Sequence, residues 1–355
     1  MPSLARSWPK DVVTQPTPDA TSSRDCARAT RLFLTHQFLP RLRRCNINTK
    51  AAGSEFAADH TMPEPATSRA TMFSDRLVAA CLGVPERMAW LDTVPALIAQ
   101  LQRRWSLTLG RPWTGDDVSC AWVAPAERVD GSRVVLKIGL PHMEAAHEAD
   151  GLAFLDGEPT VRLLAADGAL NAMLLERCEP GTALRDVPEH EQDVIIAGLL
   201  RRLWRRPQSP SAFRPLSDMI AQWTRETLAA SDRWPDQRLV RHGLRVFDRL
   251  ARETPDDVLL ATDLHAGNVL RAQRAPWLVI DPKPFVGDRA YDATQHLFNC
   301  MDRLLAAPYA TIANFANLLD VDRDRVAAWM FARAAAEPRA QWSDASLQLA
   351  GVLAP

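Results

Sequence analysis

Three oxygen-bearing side chains lie close enough in the chain to serve one reaction centre: Asp263, Asn268 and Asp281. The first two belong to a turn-rich loop, and the third follows a short apolar segment, residues 277–280, that predicts a strand. A hairpin of this kind would present two carboxylates and one carboxamide to the same space. Such ligands suit a hard cation such as Mg²⁺, which also binds phosphate oxygens. The pattern predicts a phosphoryl-transfer centre, with Asp281 at the metal and Asp263 orienting the attacking hydroxyl.

The order of these residues matches the catalytic-loop pattern of kinases, D-L-x-x-x-N, which is followed by a metal-binding Asp. Residues 263–268 read Asp-Leu-His-Ala-Gly-Asn, and Asp281 ends the next predicted strand. Asp and Asn are also ordinary turn and capping residues, so any one of them alone would more often be structural. The agreement between the loop and a separate strand-terminal Asp favours catalysis.

Residues 261–292 resemble the aminoglycoside phosphotransferase branch of the protein-kinase-like fold. Within that branch they are similar to the streptomycin 6-kinase and hydroxyurea phosphotransferase family, whose motif is close to H-G-D-L-H-x-G-N-V-L followed by I-D-P-K-x-x-x-G-D-x-x-Y-D. The chain has Ala261 and Thr262 where that family usually has His-Gly. The His normally braces the loop, so its replacement bears on efficiency more than on chemistry.

The resemblance implies ATP- and Mg²⁺-dependent phosphorylation of a hydroxyl on a small molecule. Asp263 would accept or orient the hydroxyl proton as a catalytic residue together with Asn268, and Asn268 with Asp281 would hold Mg²⁺. Further along the motif, Asp288 would cap the following helix, and Asp292 would tie that helix to the catalytic loop.

Lys137 lies on a predicted strand, residues 133–138, ahead of an amphipathic helix. In kinases the corresponding lysine bridges the phosphates of ATP and pairs with a Glu on the following helix. Glu148 is the expected partner, and Glu144, one turn earlier, is the alternative. A strand-end Lys is usually solvated, so this role depends on the downstream Asp motif.

Two further segments are expected to contact the nucleotide. The chain lacks a G-x-G-x-x-G loop, and residues 115–119, ending in Ser119, are the nearest candidate for a backbone phosphate cradle. Residues 176–181 resemble the interlobe hinge of the family, where backbone groups near Glu176 and Cys178 would bind the adenine edge. A plain turn between strand and helix is the alternative for this segment.

The elements that must position these residues follow from hydrophobic periodicity. Residues 107–137, with an Asp-Gly turn at 130–131, predict a small antiparallel sheet, and residues 161–165 and 172–175 predict two more strands. Residues 73–104 predict helices broken around Pro85 and Pro95. Further helices are predicted over residues 187–206, 215–230, 239–252, 326–336 and 343–353.

This order of elements, with the resemblance, predicts an α+β, bilobal protein-kinase-like fold with a small antiparallel-sheet N-lobe and a larger helical C-lobe. The expected units are a nucleotide-binding lobe over residues 72–178 and a catalytic and substrate lobe over residues 179–355. Residues 1–71 are rich in Thr, Ser, Ala, Pro and Arg and predict a disordered or non-native extension. A targeting or regulatory arm is the alternative there.

The composition limits the classes of partner that the protein is expected to bind. The 355 residues carry a formal net charge of -1, which gives no electrostatic case for nucleic acid or an anionic membrane. Six scattered cysteines without paired spacing indicate reduced thiols and a cytoplasmic location. No stretch reaches the roughly 20 apolar residues of a membrane span. A monomer or weak dimer acting on a small molecule is expected.

The leading acceptor is streptomycin or a similar aminoglycoside. Its guanidinium groups predict an acidic, partly aromatic pocket. Candidates for its lining are Asp218, Trp223, Glu226, Asp292 and Asp302. Hydroxyurea or another metabolite is an alternative acceptor. A catalytically impaired nucleotide-binding protein is a third hypothesis, motivated by Ala261-Thr262 and the weak phosphate loop.

Overall fold

The N-terminal part of the chain forms an antiparallel sheet with helices around it. The computed structural model describes residues 72–115, 118–208, 211–339 and 341–355, so the extension predicted over residues 1–71 lies outside the described residues. The elements of this part are helices α1 (Asp75–Cys81) and α2 (Pro85–Trp105), strands β1 (Leu107–Leu109), β2 (Ala121–Arg128) and β3 (Arg133–Gly139), helix α3 (Glu148–Leu155), and strands β4 (Leu163–Asp167) and β5 (Ala172–Glu176).

The five strands form one sheet in the order β1-β2-β3-β5-β4, with every neighbouring pair antiparallel. The predicted Asp-Gly turn joins β2 to β3, and Gly131 adopts a φ of 80°, which glycine reaches without strain. Strand β3 is central, and its Lys137 lies opposite Val123 on one side and Met173 on the other. This central position holds the lysine rigidly.

Helix α2 differs from the sequence-based prediction at one of its two prolines. Pro85 starts it, as its preset φ favours, but the break expected at Pro95 is wrong, because the helix continues through that residue to Trp105. An interior proline costs about 3 kcal/mol. Burial of one aliphatic side chain contributes about 1.5–3 kcal/mol, and four from this helix are buried, which offsets the loss: Leu91, Val94, Ile98 and Leu101.

The C-terminal part is mainly helical. Its helices are α4 (Glu189–Leu203), α5 (Leu216–Ala229), α6 (Gln237–Leu250), α7 (Arg289–Asn299), α8 (Met301–Ala306), α9 (Pro308–Leu319), α10 (Arg323–Ala336) and α11 (Asp344–Leu353). Four short strands interrupt them: β6 (Val258–Leu260), β7 (Val269–Arg271), β8 (Trp277–Val279) and β9 (Phe285–Gly287). The predicted sheet-then-helices architecture is confirmed, and α8 and α9 are additions to it.

Close helix packing builds the C-terminal core. Helix α6 approaches α10 so closely that a Cβ at Gly243 would lie 2.8 Å from the Cβ of Ala336 and 2.9 Å from that of Ala335. Small residues at this contact therefore set the position of α10. Within the described residues, none of the helices has the length and apolar character that crossing a bilayer requires.

An ion pair between a partly exposed arginine and a buried aspartate connects α8 to α4. Arg303 donates from Nη1 to Oδ2 of Asp193 over 2.6 Å and from Nη2 to Oδ1 over 2.8 Å, and Nε2 of His296 lies 2.7 Å from Oδ1. Although burial opposes it, these partners hold the pKa of Asp193 below its ordinary value.

Candidate active site

Two loops between the short strands carry the predicted catalytic residues. The β6–β9 pair and the β7–β8 hairpin leave residues 261–268 and 280–284 as neighbouring connections. Their backbones are joined twice, since N–H of Ile280 donates to the carbonyl of Asn268 and N–H of Lys283 to that of Ala261, each over 2.9 Å. These bonds bring Asp281 next to the loop that holds Asp263.

Lys137 links the sheet to this site. Its Nζ lies 2.5 Å from Oε1 of Glu148 and 2.5 Å from Oδ1 of Asp281, with both Lys137 and Glu148 buried. Burial raises the pKa of Glu148 against the attraction of Lys137. Burial would also raise that of Asp281, but the charges of Lys137 and Lys283 hold its pKa well below its ordinary value. The site therefore keeps an ionised carboxylate beside a fixed cation.

The approach of α3 explains why Glu148 is the partner of Lys137. Gly151 packs against Pro284 so tightly that a Cβ would lie 2.9 Å from the proline Cγ. Glycine thus lets the helix reach the loop that follows Asp281. Glu144 was the alternative partner, and this alternative is wrong. The helix begins at Glu148, and Glu144 lies before it, where its Oε1 accepts a hydrogen bond from Nε1 of Trp223 over 3.2 Å.

A second lysine occupies the same cluster, and the sequence analysis gave it no role. Lys283 is 5% exposed, contacts Oδ1 of Asp281, and has its Nζ 3.8 Å from Oε2 of Glu148. Burial lowers the pKa of a lysine, but Asp281 and Glu148 outweigh it and raise that of Lys283. Its place two residues after Asp281, within the quoted D-P-K motif, was the available signal.

Asp263 is oriented by two amide side chains. Gln295 donates from Nε2 to its Oδ1 over 2.7 Å, and Asn268 donates from Nδ2 to its backbone carbonyl over 3.0 Å. Burial raises the pKa of Asp263 to about 6, against the attraction of Lys283. In the described part of the chain Oδ2 has no hydrogen-bond partner, so one carboxylate oxygen is held and the other is available to a substrate.

The positions that depart from the family motif are held by Asp292. Its Oδ2 accepts from N–H of Ala261 and from Nε1 of Trp204, and its Oδ1 accepts from N–H of Thr262. Asp292 is 1% exposed, and burial raises its pKa to about 6 despite these hydrogen bonds. The expected tie between helix α7 and the catalytic loop is present. Asp288 caps that helix by accepting from N–H of Ala290.

The residues expected to contact the nucleotide lie in two segments, residues 115–119 and residues 176–178. Within the phosphate-loop candidate, residues 116–117 lie outside the described residues, and Oγ of Ser119 lies 3.9 Å from Sγ of Cys120. Glu176 ends β5, where its carboxylate binds Arg274 and its N–H donates to the carbonyl of Arg162. Cys178 is buried, and burial raises the pKa of its thiol to about 12.

The residues expected to line the acceptor pocket differ in how far they are buried. Asp218, Glu226 and Asp302 are exposed, and Asp292 is engaged with the catalytic loop. Trp223 is buried and holds Glu144. Burial raises the pKa of Glu144, and the negative charge of Asp263 adds to this effect. Trp223 and Glu144 therefore form an aromatic and acidic pair, and its carboxylate lies close enough to Asp263 for their charges to interact.

A family model and the sequences of individual relatives place the chain in the same family. Residues 109–345 match the family described as "Aminoglycoside/hydroxyurea antibiotic resistance kinase". A streptomycin 6-kinase of Streptomyces glaucescens is 34% identical over 284 residues, which cover 77% of this chain and 88% of that protein. A hydroxyurea phosphotransferase of Kitasatospora aureofaciens is 33% identical over 250 residues, which cover 69% of this chain and 72% of that protein.

The fold is also similar to that of solved kinases. An ethanolamine kinase of Plasmodium vivax superposes with a TM-score of 0.50 at 12% identity, covering 75% of this chain and 87% of that one. At this identity the likeness concerns the fold alone. The antiparallel sheet followed by the helical part is the bilobal α+β arrangement of the kinase-like fold.

Proposed function

The chain belongs to the aminoglycoside/hydroxyurea antibiotic resistance kinase family, whose members transfer a phosphoryl group to a hydroxyl, and on this premise we propose that it uses Mg-ATP to phosphorylate streptomycin. The observation that carries the proposal is the convergence of Lys137, Glu148 and Asp281 beside Asp263. Phosphoryl transfer depends mainly on positioning and electrostatics, which this cluster supplies.

The donor atoms near Asp281 fit Mg²⁺. Both lysines contact Oδ1 of Asp281, so its ionised Oδ2 would face a metal ion. Asn268 binds the carbonyl of Asp263 through its amide nitrogen, which turns its amide oxygen the other way. A carboxylate and a carboxamide oxygen are ligands that Mg²⁺ accepts in proteins, so Asp281 and Asn268 would hold the ion. When bound, the metal would neutralise charge on the transferring phosphoryl group.

Asp263 would act on the acceptor. Its Oδ1 is held by Gln295, and Oδ2 would receive the proton of the attacking hydroxyl. A pKa of about 6 suits a general base, because most of the group is ionised at neutral pH and it still binds a proton readily. Lys137, fixed by Glu148, would orient the α- and β-phosphates of ATP.

The adenine and phosphate contacts would follow the pattern that the resemblance to the family implies. Because N–H of Glu176 is engaged with Arg162, adenine would be bound by the carbonyl of Glu176 and by the backbone of Cys178. Backbone amides near Ser119 would approach the phosphates. These assignments require no particular side chain at either position.

Streptomycin is the proposed acceptor because of the Glu144–Trp223 pair. A guanidinium group pairs well with a carboxylate, and the carboxylate of Glu144, which Trp223 holds, lies where its charge is felt by Asp263. Hydroxyurea is the second candidate, favoured by the similarity to the hydroxyurea phosphotransferase of Kitasatospora aureofaciens. It carries no charge, so it would gain less from Glu144.

A coupled assay of ADP release with Mg-ATP tests the proposal, run without acceptor, with streptomycin and with hydroxyurea. Streptomycin-dependent release, with phosphorylated streptomycin identified by mass spectrometry, is the expected result. Release that depends on hydroxyurea alone would change the acceptor. Nucleotide binding without transfer to either acceptor would favour the catalytically impaired hypothesis and contradict the proposal.

A further inference from the structure

Gln295 is the side chain that contacts the carboxylate of Asp263. It lies on α7, is 3% exposed, and donates from Nε2 to Oδ1 over 2.7 Å. The two residues are 32 positions apart in the chain, so the contact is tertiary. The side-chain amide of Gln295 has two possible orientations. Its nitrogen can donate to the Asp263 carboxylate, or its oxygen can face that carboxylate, and only the first orientation is attractive.

Arg333 decides this orientation. Its Nη2 donates to Oε1 of Gln295 over 3.0 Å. A guanidinium has donors and no acceptor, so the amide oxygen must face Arg333 and the amide NH₂ must face Asp263. The arginine thereby selects one of two amide orientations that have nearly the same shape.

Arg333 is itself held on several sides. It is 1% exposed and donates to both carboxylate oxygens of Glu337, over 3.0 and 3.3 Å, and to Oγ1 of Thr294 over 2.6 Å. Three aromatic rings have centroids between 5.1 and 5.6 Å from its Cζ: Trp223, Tyr291 and Phe298. A buried, paired and enclosed guanidinium has little freedom to move.

We propose that Arg333 and Gln295 are positioning residues that fix the rotation of the Asp263 carboxylate, so that Oδ1 is held and Oδ2 meets the acceptor hydroxyl. This inference rests on the proposed function, in which Asp263 receives the hydroxyl proton. Neither residue needs to touch the substrate. Proton transfer requires an accepting oxygen within hydrogen-bond reach and correctly aligned, and a carboxylate free to rotate would present that geometry only part of the time.

Two variants separate positioning from a purely structural role. Gln295→Met keeps the length of the side chain and removes both hydrogen bonds. Gln295→Glu keeps an acceptor for Arg333, but an ionised carboxylate cannot donate to Asp263. A matched control is Thr227→Val, which removes one buried hydrogen bond, from Oγ1 to the carbonyl of Ala336 at the end of α10.

The variants are assayed with Mg-ATP and either streptomycin or hydroxyurea, and ADP binding is measured by calorimetry. Both Gln295 variants are expected to lower kcat by about 10- to 100-fold, with unchanged ADP affinity and unchanged KM for the acceptor. Thr227→Val should lose stability and keep its kcat.

Wild-type kcat in both Gln295 variants would overturn the inference and leave the proposed function intact. An equal fall in kcat for Thr227→Val would also overturn it, because the effect would then be one of general stability. A wild-type protein that transfers phosphate to neither acceptor would remove the proposed function and the inference together.

Discussion

The backbone N–H of Thr262 donates to Oδ1 of Asp292 over 2.8 Å, and this contact fixes the start of the catalytic loop from a helix 30 residues further along the chain. The adjacent N–H of Ala261 donates to Oδ2 of the same carboxylate over 3.0 Å. Both amides belong to the two positions at which the chain departs from the His-Gly of its family. Asp292 therefore braces the loop although the usual His is replaced.

Thr262 adopts a φ of 49°, which is uncommon for a β-branched residue and which glycine adopts without strain. Its Oγ1 donates to the carbonyl of Lys283 over 2.6 Å. Thr262→Ala should lower the free energy of unfolding by about 1 kcal/mol, because it loses this bond and keeps the left-handed backbone. Thr262→Gly should be more stable than Thr262→Ala. Urea denaturation measures both, and an alanine variant more stable than the glycine variant would contradict the account.

Lys137 is expected to bind nucleotide. Lys137→Met should raise KM for ATP at least about tenfold, since a cation at the α- and β-phosphates is lost. Arg133→Met is the control, because it removes from the same strand a cation whose side chain is 60% exposed and pairs with Glu179. Its KM for ATP should be unchanged. An equal rise of KM for ATP in both variants would show that loss of any positive charge from this strand weakens ATP binding, and it would argue against a specific role of Lys137.

Glu144 is expected to discriminate between acceptors. Glu144→Gln keeps the hydrogen bond to Trp223 and removes the negative charge. It should raise KM for streptomycin about tenfold, as expected for loss of a charge-assisted hydrogen bond of about 1.5–3 kcal/mol, and leave KM for ATP unchanged. Glu226→Gln, an exposed position on α5, should change neither. A Glu144→Gln variant with wild-type KM for streptomycin would exclude the proposed guanidinium contact.

The pH dependence should follow Asp263. Burial raises its pKa to about 6, and the ionised form is the one that can accept a proton. The value of kcat/KM, which reports groups of the free enzyme, should therefore be level above this pH and fall about tenfold per unit below it. Asp292 also has a pKa of about 6, so the residual activity of Asp263→Asn is the control. The acidic limb should be absent from that variant; if it remains, another group controls it.

The sequence was sufficient for the parts of the fold and site that depend on local pattern. Alternation and the Asp-Gly turn predicted the β2–β3 hairpin, and helical spacing predicted most of the C-terminal helices. The break expected at Pro95 was wrong, because tertiary burial of one face of α2 offsets the missing hydrogen bond. Local propensity could not include that burial.

Long-range contacts within the site were not predictable in the same way. Gln295 and Arg333 have no motif, and they meet Asp263 only because α7 and α10 pack beside the loop. Glu144 was the alternative partner, one turn before Glu148 on the predicted helix, but the helix begins only at Glu148. Lys283 was visible in the motif, but its role depends on folding next to Asp281.

In the proposed mechanism, Asp263 serves the transfer step and does not serve nucleotide binding. The direct measurement compares Asp263→Asn with the wild type, using acceptor-dependent ADP release for turnover and calorimetry for Mg-ADP affinity. Turnover is expected to fall by at least about 100-fold, while the affinity for Mg-ADP stays within about twofold. An Asp263→Asn variant that turns over at the wild-type rate would show that Asp263 does not serve the transfer step.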